Sequence, residues 1–380
     1  MSTDTSARTR HVTRIDRLER LGPSERRRLT RVADTYAFRS TDYYLSLINW
    51  DDPKDPIRSI VVPHEKELDG WGDLDPSNEK AYTVMPGVEH KYRSTVLLLV
   101  SNVCGAICRY CFRKRVFITP RQDYLQNLGA ALAYIRERPD VTNVLLSGGD
   151  PLILTTGRLE PIVRGLREID HVGIIRIGTK MPAFNPYRIL DDPSLTDMIA
   201  RYSTARKRIY IMTHFVHPRE LTDAAVRGVE RLLRAGAVVA NQSPLIRGLN
   251  DDPAILARLW RKLACIGAVP YYIFQCRPAA GNSAYVVPIE EGYDIIANAK
   301  SRVSGLAKRM RFVMSHATGK IEILAKTHDQ ILFKYHRAAH DCDSGRVLVF
   351  ARNPRACWLD DYGDPLETYS TDQPQDDEHV

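Results

Sequence analysis

The 380-residue chain has no run of about 18 apolar residues, so no segment is long enough to cross a bilayer as a helix. The longest apolar stretch, around Val96–Val100, has the length of a buried strand. The first ten residues, MSTDTSARTR, lack an apolar signal core, which leads to the expectation of a cytoplasmic protein. There is no internal repeat. Cysteine is sparse, and its count of seven is odd, which argues against a disulfide framework. Apolar residues at 44% and charged residues at 26% exclude wholesale disorder and a collagen-like chain. The net charge of +8 is moderate, and an arginine-rich solvated surface accounts for it. Basic and aromatic residues do not interleave as on RNA-binding platforms, so nucleic acid is not an expected partner.

What is present is a βα rhythm. Residues 1–92 read as a frayed tail, one or two helices with loose apolar spacing (Ile15, Leu18, Leu21, Leu29, Val32), and irregular covering structure over 57–90. From about residue 93, short β-branched runs alternate with amphipathic stretches. Candidate strands are Val96–Ser101, Asn143–Leu146, Ile174–Gly178, Ile209–Thr213, Val238–Asn241 and Tyr271–Gln275. The segments between them are long enough for helical crossovers. Six such units predict a partial parallel (βα)6 barrel over 93–320, buried on both faces. A doubly wound open sheet is the alternative; the absence of a GxGxxG turn after the first strand weighs against it. Residues 321–359 alternate like strands (Ile321–Leu324, Ile331–His336, Arg346–Ala351) and predict a β-rich C-terminal extension. The acidic 360–380 segment is expected to be disordered.

In a parallel barrel the chemistry sits in loops after the strands. After the first candidate strand comes Cys104-Gly-Ala-Ile-Cys108-Arg-Tyr-Cys111, three thiols spaced C-x3-C-x2-C. This is a soft donor set suited to an iron–sulfur cluster or zinc. Structural zinc takes four ligands, and no fourth cysteine or histidine pair stands close by. Three ligands on a four-iron cluster leave one iron open. After the second strand, Ser147, Gly148, Gly149 and Asp150 form a turn in which glycine lets the backbone approach a ligand.

This pairing, with Tyr110 before the last cysteine, resembles the radical S-adenosylmethionine (SAM) superfamily. The resemblance implies that Cys104, Cys108 and Cys111 hold a 4Fe–4S cluster whose open iron chelates SAM, and that Ser147–Asp150 receives the SAM amino group. Further stretches sharpen it toward the lysine 2,3-aminomutase family: Cys108–Arg115, Leu146–Leu152, Ile175–Pro182, His217–Glu220, Asn241–Asp251 and Pro270–Cys276. That family exchanges α- and β-amino acids through a 5′-deoxyadenosyl radical and an imine of pyridoxal phosphate. By this resemblance Lys320 carries pyridoxal phosphate, Arg113 pairs with the substrate carboxylate, and Gln242 contacts SAM. A reductant such as flavodoxin or ferredoxin is implied, and a homo-oligomer is left open.

Three departures stand out. Where lysine-specific relatives carry an aspartate for the distal ammonium, this chain has Arg277, and Val313–His316 offers no second carboxylate. Two like charges at about 4 Å repel by roughly 4 kcal/mol at an effective dielectric near 20, so an acidic substrate such as glutamate is expected in place of lysine. The arginine expected on the cofactor phosphate is replaced by Thr95, with Lys91 and Arg93 as candidate substitutes. The C-terminal zinc cluster of some relatives is missing; Cys342 and Cys357 are too few, so no zinc is expected. The alternative function is a pyridoxal-phosphate-independent radical enzyme of the same family: a decarboxylase, epimerase or dehydratase.

Overall fold

The computed structural model describes residues 9–118 and 123–370. Thirteen strands form one sheet whose spatial order follows the chain order throughout. They are β1 (Thr83–Met85), β2 (Val88–Tyr92), β3 (Thr95–Ser101), β4 (Asn143–Gly148), β5 (Ile174–Thr179), β6 (Ile209–Thr213), β7 (Val238–Pro244), β8 (Val269–Phe274), β9 (Arg311–His316), β10 (Gly319–Lys326), β11 (Gln330–Ala338), β12 (Val347–Ala351) and β13 (Glu367–Tyr369). From β3 to β9 every pairing is parallel. The flanking pairs, β1–β2–β3 and β9 through β13, are antiparallel.

The parallel block consists of six βα units and a closing strand, the α/β part-barrel expected from the sequence. Its crossovers follow local rules. Helix Pro193–Tyr202 starts with Asp192 accepting from Ser194 N and proline at the first position; Pro253–Cys265 starts the same way from Asp252. Helix Thr156–Arg167 buries Leu159, Ile162, Val163 and Leu166, one face at helical spacing. These helices cover the outward residues of the strands: Val96, Leu98, Val144, Leu146, Ile175 and Ile177 are all fully buried. Because side chains alternate, the intervening positions point into the barrel.

Four differences from the sequence reading have physical causes. The closing strand β9 was not singled out, since Arg311 and Ser315 interrupt its apolar run. Residues 83–90, within the 57–90 stretch read as irregular cover, belong to the β1–β2 hairpin, which turns through Pro86 and Gly87, with Gly87 at φ +76°. Glu89 and Lys91 hide this strand by placing charges on its inner face. Part of the expected disordered tail is ordered: β13 pairs with β12, and Leu359–Tyr362 forms a helical turn, while 371–380 lie outside the described residues. One sheet also runs across both expected boundaries, 92/93 and 320/321.

No backbone ladder joins β1 or β2 to β9. Side chains close that gap instead. Tyr82 donates to Ala317 O at 2.9 Å, Ser77 to Ser315 O at 3.1 Å, and Lys91 to His316 O. Arg337 of β11 donates to Thr95 Oγ1 at 3.0 Å and Ser94 Oγ at 2.6 Å. Among the described residues no helix is long and apolar enough to cross a membrane.

Candidate active site

The loop after β3 is shaped by the N-terminal segment packed outside it. Ile107 N donates to Arg39 O at 2.9 Å and Arg109 N to Ile60 O at 2.8 Å. The Arg109 side chain, fully buried, donates to Glu67 at 2.7–3.2 Å and to the carbonyls of Ala37 and Tyr36 at 2.8 and 3.1 Å. Every fork of the guanidinium is used, so the loop backbone between Cys108 and Cys111 is fixed. Burial raises the thiol pKa of Cys104, Cys108 (to about 12) and Cys111; for Cys104, Asp150 and the other two thiols add to it. Thiols of this kind give up their protons to a compensating cation. Among the described residues no three His, Cys, Asp or Glu side chains converge on one ion. An all-sulfur set of three in one loop is the donor chemistry of an iron–sulfur cluster.

The turn after β4 presses against this loop. Gly148 has φ +112°, and a Cβ on Gly149 would lie 2.3 Å from Val103 O. The backbone N–H groups here are not free as a ligand cradle would need: Gly149 N donates to Ser101 O and Asp150 N to Val103 O. Asp150 is buried, and its carboxylate accepts from Leu152 N, Thr179 Oγ1 and Lys180 N at 2.7–2.9 Å. Oδ1 takes two of these bonds, while Oδ2 takes only that from Lys180 N and keeps a lone-pair direction for one more donor. Burial raises its pKa, against these bonds.

Cys104, Asp150, Gln242, Arg277 and Lys320 line one cavity of about 390 Å³. The structure brings the three cysteines, Ser147–Asp150, Gln242, Arg277, Lys320 and Arg113 to one chamber. It assigns Arg113 a partner that the sequence did not reveal. Its Nε and Nη2 donate to Glu79 at 2.8–3.1 Å, and Nη1 to Ser147 Oγ at 3.0 Å. The edge that would grip a substrate carboxylate with two parallel bonds is thus held by Glu79. Burial alone would raise Glu79, but Arg113 and Arg115 pull it down to about 2; its neighbour Glu89, buried and repelled by Glu79, is pushed up to about 7.

Lys320 is half-buried, with its ammonium 4.3 Å from the Tyr272 ring centre. Burial, then Arg176, Arg277, Arg337 and Lys91, lower its pKa to about 7. Arg277 lies over Phe112 at 3.6 Å, and its buried Nη1 has no hydrogen-bond partner. Burial lowers Arg277 to about 10 and Lys91 to about 8. Arg93, a candidate phosphate contact from the sequence, is instead exposed and paired with Asp140 and Asp341. Arg176, Arg337, Glu79 and Glu89 were missed. The available signal was a charge inside an otherwise apolar strand of a barrel buried on both faces, as in Ile174-Ile-Arg176-Ile.

Residues 98–259 match the Radical SAM superfamily. A protein of Aquifex aeolicus named "Putative L-lysine 2,3-aminomutase" is 51% identical, covering 93% of this chain and 95% of its own length. The L-lysine 2,3-aminomutase of Clostridium subterminale is 36% identical over 77% of this chain and 71% of its own. The glutamate 2,3-aminomutase of Clostridioides difficile is 33% identical over 78% and 70%. The chain belongs to the lysine 2,3-aminomutase family of the radical SAM superfamily. It is a radical SAM aminomutase, an isomerase, and its family implies a 4Fe–4S cluster and SAM.

The aminomutase's own residues fit those groups. The three half-buried thiols open onto the same chamber as the glycine turn and Asp150. A lysine whose amine is neutral near pH 7 lies across from them. Five cations there, Lys91, Arg176, Arg277, Lys320 and Arg337, have no carboxylate ion-pair partner among the described residues, so the chamber is built for anionic ligands.

Proposed function

We propose that this enzyme moves an amino group between the α- and β-carbons of an acidic amino acid, using SAM on a cluster held by Cys104, Cys108 and Cys111 and pyridoxal phosphate on Lys320. The cluster and SAM supply the hydrogen-abstracting radical, and pyridoxal phosphate supplies an imine able to delocalise an unpaired electron beside the migrating nitrogen. An electron from a flavodoxin- or ferredoxin-type protein starts the cycle.

The chain's residues do the rest. Ser147–Asp150 positions the SAM amino group beside the cluster, with Gln242 facing it from β7. The half-buried, cation-ringed Lys320 presents a free amine, the form that condenses with an aldehyde. Arg113 offers its Nη1 edge, beside Ser147, to the substrate α-carboxylate. Apolar and aromatic walls, among them Phe112, Tyr272 and Phe274, exclude water from the radical.

The observation that carries the substrate class is Arg277. It lines the chamber with a buried Nη1 that has no hydrogen-bond partner, where a distal carboxylate would complete it. A basic substrate is the second reading, carried by Glu89, whose buried Oε1 accepts no hydrogen bond and lies 4.0 Å from the Arg115 guanidinium. The five unpaired cations oppose it: each like-charge contact near 4 Å costs roughly 4 kcal/mol at an effective dielectric of 20. The test is oxygen-free incubation of reconstituted enzyme with SAM, reductant, and L-glutamate, L-aspartate or L-lysine, read by mass spectrometry. β-Amino isomers of an acidic substrate support the proposal. Isomerisation of lysine alone would transfer the distal-group role to Glu89.

A further inference from the structure

We infer that Arg337, carried on β11 from beyond the six βα units, holds the phosphate of the pyridoxal cofactor together with Arg176 and the Thr95 hydroxyl. This rests on the reading of Lys320 as the aldehyde-binding lysine and extends it to a residue group that the barrel alone does not supply.

The register places the pair. Lys320 on β10 is the direct cross-strand partner of Arg337 on β11. Side chains so paired leave the sheet on the same face, with Cβ atoms about 4.5–5.5 Å apart. Both side chains line the chamber. The aldehyde and the phosphate arm of pyridoxal phosphate sit on adjacent ring carbons. A lysine that takes the aldehyde therefore fixes the phosphate in its own neighbourhood, within reach of a long cross-strand arginine.

The bonding of Arg337 is that of a guanidinium with charge to spare. Nη1 and Nη2 meet only the neutral hydroxyls of Thr95 and Ser94, and the cation lies 4.5 Å from the Tyr92 ring centre. Arg176, projecting inward from β5, likewise spends Nε on the neutral Asn143 Oδ1 at 2.9 Å. Neither arginine forms an ion pair with a carboxylate among the described residues. Burial lowers the pKa of both, and Arg337 lowers that of Arg176 further, so the two guanidinium groups share one region. A phosphate monoester, with a charge near −2 and three acceptor oxygens, suits such a pair. A single substrate carboxylate leaves one cation uncompensated. Thr95 stands where the resemblance expects an arginine, and Arg337 reaches that place from the other side of the gap.

The test compares pyridoxal 5′-phosphate with pyridoxal, which has the same aldehyde and no phosphate. Full-length protein, freed of bound aldehyde with hydroxylamine, is titrated with each and followed by imine absorbance. Wild type is expected to bind the phosphorylated form far more tightly. Arg337→Gln should weaken pyridoxal phosphate by roughly 10- to 150-fold, the worth of a charge-assisted hydrogen bond, and leave pyridoxal unchanged. Arg176→Gln is a second variant with the same selective loss expected, and Arg93→Gln, outside the chamber, should match wild type. Circular dichroism checks that each variant is folded. Equal loss for both aldehydes, or no loss for either, overturns the phosphate site alone. Wild type that binds neither aldehyde overturns the pyridoxal phosphate reading and this inference together.

Discussion

Nη2 of Arg109 lies 2.7 Å from Oε2 of Glu67, with both side chains buried, and this ion pair ties the middle of the cysteine loop to the N-terminal segment. A charge left alone there has no solvent to turn to. Glu67→Gln is expected to cost about 3–5 kcal/mol, as does breaking other buried pairs. Because Arg109 sits between two of the three thiols, iron retained after anaerobic reconstitution should fall together with the thermal midpoint. A variant with wild-type iron content and midpoint would show that the pair does not set the loop.

Gly149 predicts a different failure. A Cβ there meets Val103 O at 2.3 Å, with backbone on both sides, so the turn and the cysteine loop must move apart. Gly149→Ala is expected to keep most of the fold but to misplace SAM, lowering 5′-deoxyadenosine formation by about 100-fold, the scale of a displacement near 1 Å. Quantifying deoxyadenosine against iron content separates this from loss of the cluster.

The depressed pKa of Lys320 sets a pH dependence. Its amine is neutral above about 7, so imine formation with pyridoxal phosphate should rise through a midpoint near pH 7. The neighbouring cations come from four other places: Lys91 on β2, Arg176 on β5, Arg277 after β8 and Arg337 on β11. Removing one, as in Arg277→Gln, should move the midpoint upward. The sign for stability follows. An unfolded lysine keeps its proton to about its ordinary pKa of 10.5, so this group makes the fold more stable as pH rises from about 7 toward that value. A midpoint near 10 in a spectrophotometric titration would refute the cation-ringed amine.

Arg277→Gln should also lower kcat/KM for an acidic amino acid by at least roughly 30-fold, about 2 kcal/mol, because a buried charge pair is lost. Steady-state kinetics with glutamate and with an uncharged amino acid check this. Equal losses on both would assign Arg277 to scaffold integrity.

The βα rhythm and the cysteine spacing could be read from the chain because each is local: apolar runs of strand length, helical crossovers, and three thiols within eight residues. The unread parts are those in which the barrel uses charge against pattern. Glu89 and Lys91 face inward from β2, so the hairpin lacks an apolar face. Arg337 lies 242 residues from Thr95, its hydroxyl partner, and only strand register brings it beside Lys320. The grip of Glu79 on Arg113 was hidden for the same reason. Both ends look like surface charges until the gap between β2 and β9 is closed.

The central claim is that Cys104, Cys108 and Cys111 hold a cluster with one iron open to SAM. Mössbauer spectroscopy of oxygen-free protein loaded with enriched iron, recorded with and without SAM, tests it most directly. A 4Fe–4S signature in which one iron changes on adding SAM, and which disappears in Cys108→Ala, is the predicted result. Protein that binds no iron, or a cluster unaffected by SAM, would contradict it.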